Sequence, residues 1–253
     1  MDVETRNHQQ IEQLNQRGGR TLSIVDLIRA GTISVEMSAY ALRAMLDGAS
    51  LLTGARPGGA GKTTLMAALL NFLPPEVPIV TVDEARVIDD ALARDPNEPA
   101  CYLAHEIGSG HWYGYLWGRD VARFLSLVDH NRRIASCLHA DTLDELTGIL
   151  CSPPLTATRQ SLGRVGLVLF MHVGSSAGRT RRRVATFHEA DGRGGHKLLF
   201  EWRAETDTFE QIGAVGDPDG LVAYVDFIRQ LVDEGEVDAR AVRWKIVERW
   251  HSL

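Results

Sequence analysis

The sequence has little of what marks a secreted, zinc-binding or membrane-spanning protein. Its 253 residues include only three cysteines, Cys101, Cys137 and Cys151, with neither C-x-x-C spacing nor an even count, so neither a disulfide framework nor a zinc site is indicated. No apolar run reaches the roughly 20 residues that span a bilayer. The first twenty residues also lack the apolar stretch of a signal peptide. We therefore expect a protein of the reducing cytoplasm.

The charge balance narrows the class of partner. The formal net charge of −6 argues against bulk attraction to nucleic acid or anionic lipid, so no nucleic-acid partner is expected. Two basic stretches are local exceptions, Arg132-Arg133 and Gly178 to Arg183. We interpret the first either as a solvated turn or as a contact with a neighbouring subunit's phosphates. The second is interpreted as a solvated hairpin or as a contact with anionic lipid or a protein partner.

Strand and helix patterns alternate over most of the chain. Apolar residues at three- and four-residue spacing predict two helices between Thr21 and Gly48, two further helices lie within 61–73 and 118–130, and Thr142-x-x-Glu145 opens another at 141–150. Apolar runs predict strands at 49–54, 77–84, 100–106, 133–140 and 165–173. Such alternation implies a mainly parallel sheet covered by helices on both faces, which is an α/β fold.

The pattern changes near residue 181. Two antiparallel strands with turns are predicted from there to residue 213, and amphipathic helices close the chain. We interpret residues 1–20 as a polar N-terminal tail or short solvated helix. Residues 21–212 form an α/β core with a small antiparallel extension from about 181, and residues 213–253 form a C-terminal helical segment.

The segment between the first strand and the helix after it has the composition of a phosphate-binding loop, Pro57-Gly58-Gly59-Ala60-Gly61-Lys62-Thr63-Thr64. Glycines let backbone amides converge on phosphate oxygens, and the helix N-terminus adds its positive dipole end. Lys62 would reach the β- and γ-phosphates, and the Thr63 hydroxyl would bind Mg²⁺. The usual signature has a glycine where Arg56 stands. Since Pro57 biases Arg56 toward extended geometry, we expect a working ATP and Mg²⁺ site with an outward-pointing Arg56.

Acids and a histidine follow three other strands. Asp83 and Glu84 end the second strand, Glu106 ends the third, and His139 leaves the fourth. The carboxyl ends of parallel strands form the ligand-binding edge of a sheet. There Asp83 or Glu84 would orient water, Glu106 would bind Mg²⁺, and His139 would donate to the γ-phosphate. Each of these residues taken alone also fits an ordinary solvated strand end.

Four stretches in order, "RPGGAGKTT", "VTVDE", "AHEIG" and "ASCLHADTLDEL", resemble the phosphate loop, Asp box, Walker B stretch and His box of the ATPases of type II secretion, type IV pili and type IV secretion. The resemblance covers roughly Thr21 to Leu150 well. It implies a RecA-like P-loop NTPase core that hydrolyses ATP with Mg²⁺ as a hexameric motor ring. It also implies a membrane-embedded secretion or pilus platform protein as partner, with the ring in the cytoplasm or at the inner face of the cell membrane.

Departures from the family pattern keep two alternatives open. Asp83-Glu84 reverses the usual order of acids, Gly108 stands where the Walker B arginine is found, and His105 replaces a glycine. Only residues 1–55 precede the loop, where most members carry a substantial N-terminal domain. The first alternative is therefore a non-hydrolysing ATP-binding structural or regulatory subunit. The second is a small-molecule P-loop kinase, although no arginine-rich lid segment lies between the third and fourth predicted strands.

Overall fold

The computed structural model describes residues 2–15, 18–129, 131–176 and 179–250. The first residue of the basic stretch, Gly178, and the last three residues of the predicted C-terminal helix lie outside these ranges. The helices are α1 (Val3–Gln13), α2 (Ile24–Arg29), α3 (Val35–Leu46), α4 (Lys62–Leu70), α5 (Ala85–Ala93), α6 (Arg119–Ser126), α7 (Leu143–Cys151), α8 (Arg159–Leu162), α9 (Pro218–Glu234) and α10 (Ala239–Arg249). The strands are β1 (Leu51–Gly54), β2 (Ile79–Thr81), β3 (Ala100–Leu103), β4 (Glu106–Ile107), β5 (Tyr115–Leu116), β6 (Arg132–Leu138), β7 (Leu167–Ser176), β8 (Arg179–Ala190), β9 (His196–Arg203) and β10 (Thr208–Gln211).

One sheet organises the described part of the chain. Its order is β10-β9-β8-β7-β1-β6-β3-β2, and the short strands β4 and β5 pair beside β6. The strands from β7 to β2 run parallel to one another. Strands β8, β9 and β10 add to the β7 edge in antiparallel fashion. The predicted fold class, a mainly parallel sheet with a small antiparallel extension, is confirmed.

Helices cover both faces of the sheet. Leu51 packs with side chains of α1 to α4, α9 and α10, whereas its neighbour Leu52 packs with those of α5 to α8. The two residues diverge because successive side chains of a strand point to opposite faces. All four residues of β1 are buried, and burial on both faces explains why the parallel strands are almost continuously apolar.

The two C-terminal helices form as predicted. Asp217 caps the start of helix α9, because its side chain accepts a hydrogen bond from the Gly220 amide, and Gly235 caps its end in the left-handed conformation that commonly terminates helices. It packs along α3 on one face of the sheet. None of the helices in the described ranges combines the length and the apolar character needed to cross a bilayer.

The first helix corrects the expectation of a polar tail or solvated helix. Ile11 of α1 is buried in the same core as α2 and α3. The side chain of Asn7 is also buried, where it donates to the Val77 carbonyl at 2.9 Å and accepts from the Ile79 amide at 2.6 Å. These bonds satisfy backbone groups beside the edge strand β2, as buried polar groups require. Because most residues of α1 are polar, its sequence did not indicate that one narrow face of the helix is buried.

Two strands are shorter than predicted, and both differences affect candidate acids. Strand β2 ends at Thr81, so Asp83 lies in a loop and Glu84 is the N-cap of α5, a helix that the sequence analysis did not predict. Strand β3 ends at Leu103. After a break of two residues, Glu106 begins β4, which pairs with β5 and β6.

Candidate functional site

The phosphate-loop segment lies at a reversal in the strand order. Strand β1 is flanked by β6 on one side and by β7 on the other. After β1 the chain builds β2, β3 and β6 on one side and then crosses to β7 on the other side. In open α/β sheets, ligands bind outside the carboxyl ends of the strands at such a point. Residues 55–61 connect this end of β1 to α4, as a phosphate loop requires.

The backbone of the loop has the conformation that its glycines permit. Gly59 and Gly61 have φ angles of +77° and +99°, in the left-handed region that other residues rarely adopt. Gly61 is also the N-cap of α4, which therefore has no side-chain cap. A hypothetical Cβ on Gly58 would meet no atom within 4 Å. The backbone N–H groups in the first turn of α4 can thus donate hydrogen bonds to an anion.

Lys62 lies beneath this loop. Its side chain is buried, and Nζ donates to the Ala55 carbonyl at 3.1 Å. Across residues 2–15, 18–129, 131–176 and 179–250, no carboxylate forms an ion pair with it. A buried ammonium without an anionic partner is unfavourable, and a phosphate group would supply the missing charge. The residues present therefore fit a polyphosphate ligand.

The two predicted Mg²⁺ ligands share a neighbour. The Sγ atom of Cys137 lies 3.8 Å from the Thr63 hydroxyl oxygen and 4.0 Å from one carboxylate oxygen of Glu106. No group of three or more His, Cys, Asp or Glu side chains among the described residues could hold a metal ion alone. Mg²⁺ commonly takes one or two protein ligands beside phosphate oxygens and water. Thr63 and Glu106 together suit this kind of site.

Protonated groups surround the Glu106 carboxylate. Burial, followed by the charge of Glu106, raises the pKa of the Cys137 thiol to about 12. Burial, followed by the same charge and a hydrogen bond to Glu106, raises the pKa of the Tyr115 phenol to about 12. Both groups therefore keep their protons at neutral pH. The phenol can donate to the carboxylate and help to hold it in the crevice.

His139 joins this acid to the start of the loop. Its Nδ1 donates to the Arg56 carbonyl at 2.6 Å, and its Nε2 lies 3.3 Å from Glu106. Asp141 accepts from the Arg56 amide at 2.7 Å, and Glu145 accepts from the Arg56 guanidinium at 2.6 Å. The segment from His139 to Glu145 therefore holds both backbone polar groups and the side chain of Arg56.

The backbone of Arg56 lies outside the left-handed region, and its extended geometry stays a prediction. Among the described residues, the non-glycine positions with positive φ are Thr156 and Asp207, so Arg56 is not strained. Its side chain is exposed, as the expected outward direction requires, and there its guanidinium pairs with Glu145 of the same chain. Exposed ion pairs of this kind contribute at most about 1 kcal/mol.

Arg56→Gly is therefore expected to change ATP affinity by less than about tenfold, or 1.4 kcal/mol. The substitution removes an exposed ion pair but leaves the residues nearest the phosphates in place. Titration with a fluorescent ATP analogue measures the affinity, and Glu145→Gln is the matched variant that breaks the same pair from the other side. A large gain in affinity for Arg56→Gly would show instead that the natural loop is damaged.

Asp83 and Glu84 lie apart from the loop. Two strands, β6 and β3, separate β2 from β1, which is a distance of about 14 Å at the usual strand spacing. Both acids are exposed, and Glu84 lies 3.5 Å from the guanidinium of Arg86. The structure therefore brings Glu106 and His139 together with the loop, while the Asp83-Glu84 pair lies further along the same sheet edge.

One residue at the loop, Arg182, lies outside the motifs of the sequence. From β8, its Nε donates to the Gly59 carbonyl at 2.9 Å. The signal in the sequence was strand alternation, which places Arg182 on the opposite face from Arg181 and Arg183. In the structure, Arg181 and Arg183 both bond Asp207 on their shared face. The Arg181–Arg183 run is therefore not a uniformly solvated stretch.

No protein-family model matches the chain, and a search of the curated proteins found no match. Among solved structures, the chain is similar to the VirB11 ATPase of the Brucella suis type IV secretion system in complex with sulphate. The TM-score is 0.41 and the identity 18%, over 82% of this chain and 64% of that one. It is also similar to the Legionella pneumophila ATPase DotB, with a TM-score of 0.40 and 13% identity, over 83% and 63%. The chain thus spans under two thirds of the length of either protein, and the similarity concerns the fold.

Proposed function

We propose that the chain is a Mg²⁺-dependent ATP-hydrolysing subunit of a secretion or type IV pilus-like machine. The observation that carries the proposal is the meeting of the Lys62 loop and the Glu106 carboxylate at one crevice of the sheet. Cys137 contacts both Thr63 and Glu106, and His139 contacts both Glu106 and the backbone of Arg56. An ammonium, the amides at a helix N-terminus and a nearby carboxylate suit phosphoryl transfer.

Each group has a distinct role in this proposal. Backbone amides of residues 58–64 and the Lys62 ammonium would bind the phosphate oxygens and stabilise the charge on the transferred group. Thr63 and Glu106 would hold a Mg²⁺ ion, which would neutralise part of the phosphate charge when bound. His139 would position Glu106 against the loop. The role of Asp83 and Glu84, at the same edge of the sheet, stays a prediction, namely that one of them orients water.

The resemblance of the four motifs to those of secretion ATPases supports a proposal for the assembly, the partner and the location of the protein. We propose a homo-oligomeric ring, expected to be a hexamer, that acts on a membrane-embedded secretion or pilus platform protein. The ring would lie in the cytoplasm or peripherally at the inner face of the cell membrane. A net charge of −6 agrees with a protein partner and not with nucleic acid.

A second candidate function is a non-hydrolysing ATP-binding subunit. The observation that favours it is His105, which immediately precedes Glu106. Its ring is buried, neither ring nitrogen has a hydrogen-bond partner among the described residues, and burial lowers its pKa. A bulky neutral ring behind Glu106, together with Gly108 in place of an arginine, changes the surroundings of the acid.

Phosphate release measured at several protein concentrations separates these functions. For a ring-forming ATPase, we expect specific activity that rises steeply with concentration, because neighbouring subunits complete the site. ATP binding without release would support the non-hydrolysing subunit, and turnover only with an added acceptor would support a kinase. The Lys62→Ala variant is the control, since residual release by it would come from a contaminating enzyme.

A further inference from the structure

Arg182 reaches the phosphate loop from a distant part of the chain. It lies on β8 opposite Val173 of β7, and β7 is the direct neighbour of β1. Its side chain extends back over β7, so that Nε donates to the Gly59 carbonyl. Its Cδ lies only 3.2 Å from the point where a Cβ of Gly61 would stand. The arginine therefore packs directly on the turn that begins α4.

The pairing of charges sets Arg182 apart from the other arginines of this region. Arg181 and Arg183 both bind Asp207, and Arg56 binds Glu145. Within the ranges that the structure describes, Arg182 is exposed and forms no ion pair, and its one side-chain hydrogen bond is to Gly59. The Lys62 side chain there likewise has only a carbonyl partner, that of Ala55. Two cations without carboxylate partners thus each bond a carbonyl of residues 55–59.

The anchored guanidinium suits an anion with several oxygens. Arginine presents a planar fork of five N–H groups that matches phosphate geometry. Here one N–H is bonded to Gly59, which fixes the plane while the terminal nitrogens keep their donors. Less side-chain freedom is then lost when an anion binds.

The position of Arg182 also indicates which part of a ligand it would meet. Thr63, Glu106 and Cys137 approach the loop from the β6 side. Arg182 and Met171 approach Gly61 from the β7 and β8 side. Arg182 would therefore meet phosphate oxygens on the side of the loop opposite Glu106 and Cys137.

We propose that Arg182 is a phosphate-binding residue, through which the antiparallel extension forms one wall of the nucleotide site. The inference rests on the proposed function. It assigns a role to the extension and to the basic run that the sequence motifs leave unexplained. Nucleotide binding would then tie β8 to the loop at the start of α4.

The test is binding, measured by calorimetry with Mg-ADP and with inorganic tripolyphosphate. Arg182→Met should lower the affinity for both ligands by about 10- to 100-fold, which is the effect expected from losing hydrogen bonds to charged groups. Arg182→Lys keeps a positive charge but loses the fork, so we expect a smaller loss of about tenfold. The matched control is Arg181→Met, which removes an adjacent arginine on the opposite face and should stay within about threefold of the parent.

Several results would overturn the inference. The inference would be wrong if both Arg182 variants bound the two ligands with the affinity of the parent. It would also be wrong if Arg181→Met and Arg182→Met lost the same amount of affinity. A loss for ADP with unchanged tripolyphosphate binding would assign Arg182 to the nucleoside and not to the phosphates. If the parent bound neither ligand, the proposed function itself would fail. Thermal unfolding of each variant without ligand separates lost binding from lost folding, and Arg182→Lys preserves the Gly59 contact most closely.

Discussion

Lys62→Ala will remove most of the affinity of this chain for ATP, by about 100-fold or more, as expected for the loss of a charged hydrogen-bond donor to several phosphate oxygens. Among the described residues, the buried ammonium donates only to the Ala55 carbonyl, so it is already positioned and needs little rearrangement to meet a phosphate. Calorimetric titration with ATP and Mg²⁺ measures the effect.

The matched control for this substitution is Lys245→Ala. Lys245 lies on α10 and pairs with Glu234, so its loss should leave ATP affinity unchanged. Both variants should unfold at temperatures close to that of the parent. Unchanged ATP affinity in a folded Lys62→Ala protein would refute the assignment of residues 57–64 as the phosphate loop.

Glu106→Gln is expected to keep ATP binding and to hydrolyse ATP about 100-fold or more slowly, the scale on which loss of a positioned acid–base or metal-orienting group acts. The amide has nearly the same shape, so its oxygen can still contact Cys137. It lacks the negative charge that would hold Mg²⁺. Single-turnover phosphate release at saturating ATP isolates this step from binding.

Two further glutamate variants test whether the loss of ATP hydrolysis is specific to Glu106. Glu98→Gln changes an exposed acid in the turn before β3 and should hydrolyse ATP at the parent rate. Glu84→Gln tests the other sheet-edge acid. A larger loss for Glu84→Gln than for Glu106→Gln would move the catalytic role to the Asp83-Glu84 pair, and parent-rate hydrolysis by Glu106→Gln would make Glu106 an ordinary strand-end charge.

Long-range contacts shaped the parts of the site that sequence patterns did not predict. Arg56 is 85 and 89 residues from the acids that bind its amide and its side chain, and Arg182 is 123 residues from the glycine that it contacts. Register between strands decides such contacts, and no local periodicity records it. The ends of β2 and β3 also differ from the predicted ones, since the strands end at Thr81 and Leu103 although backbone hydrogen bonds continue to Val82 and Ala104.

The sequence by itself determined the loop, the order of the parallel strands along the chain and the antiparallel change near residue 181. These features depend on neighbouring residues, since alternation, glycine placement and helix caps are local. Only the tertiary structure decided that Glu106 and His139 meet the loop while Asp83 and Glu84 lie further along the edge. Only it decided that the polar first helix packs into the core through Ile11. The physical reason is that strand order, which places β6 next to β1 and β2 three strands away, is set by how the whole chain packs.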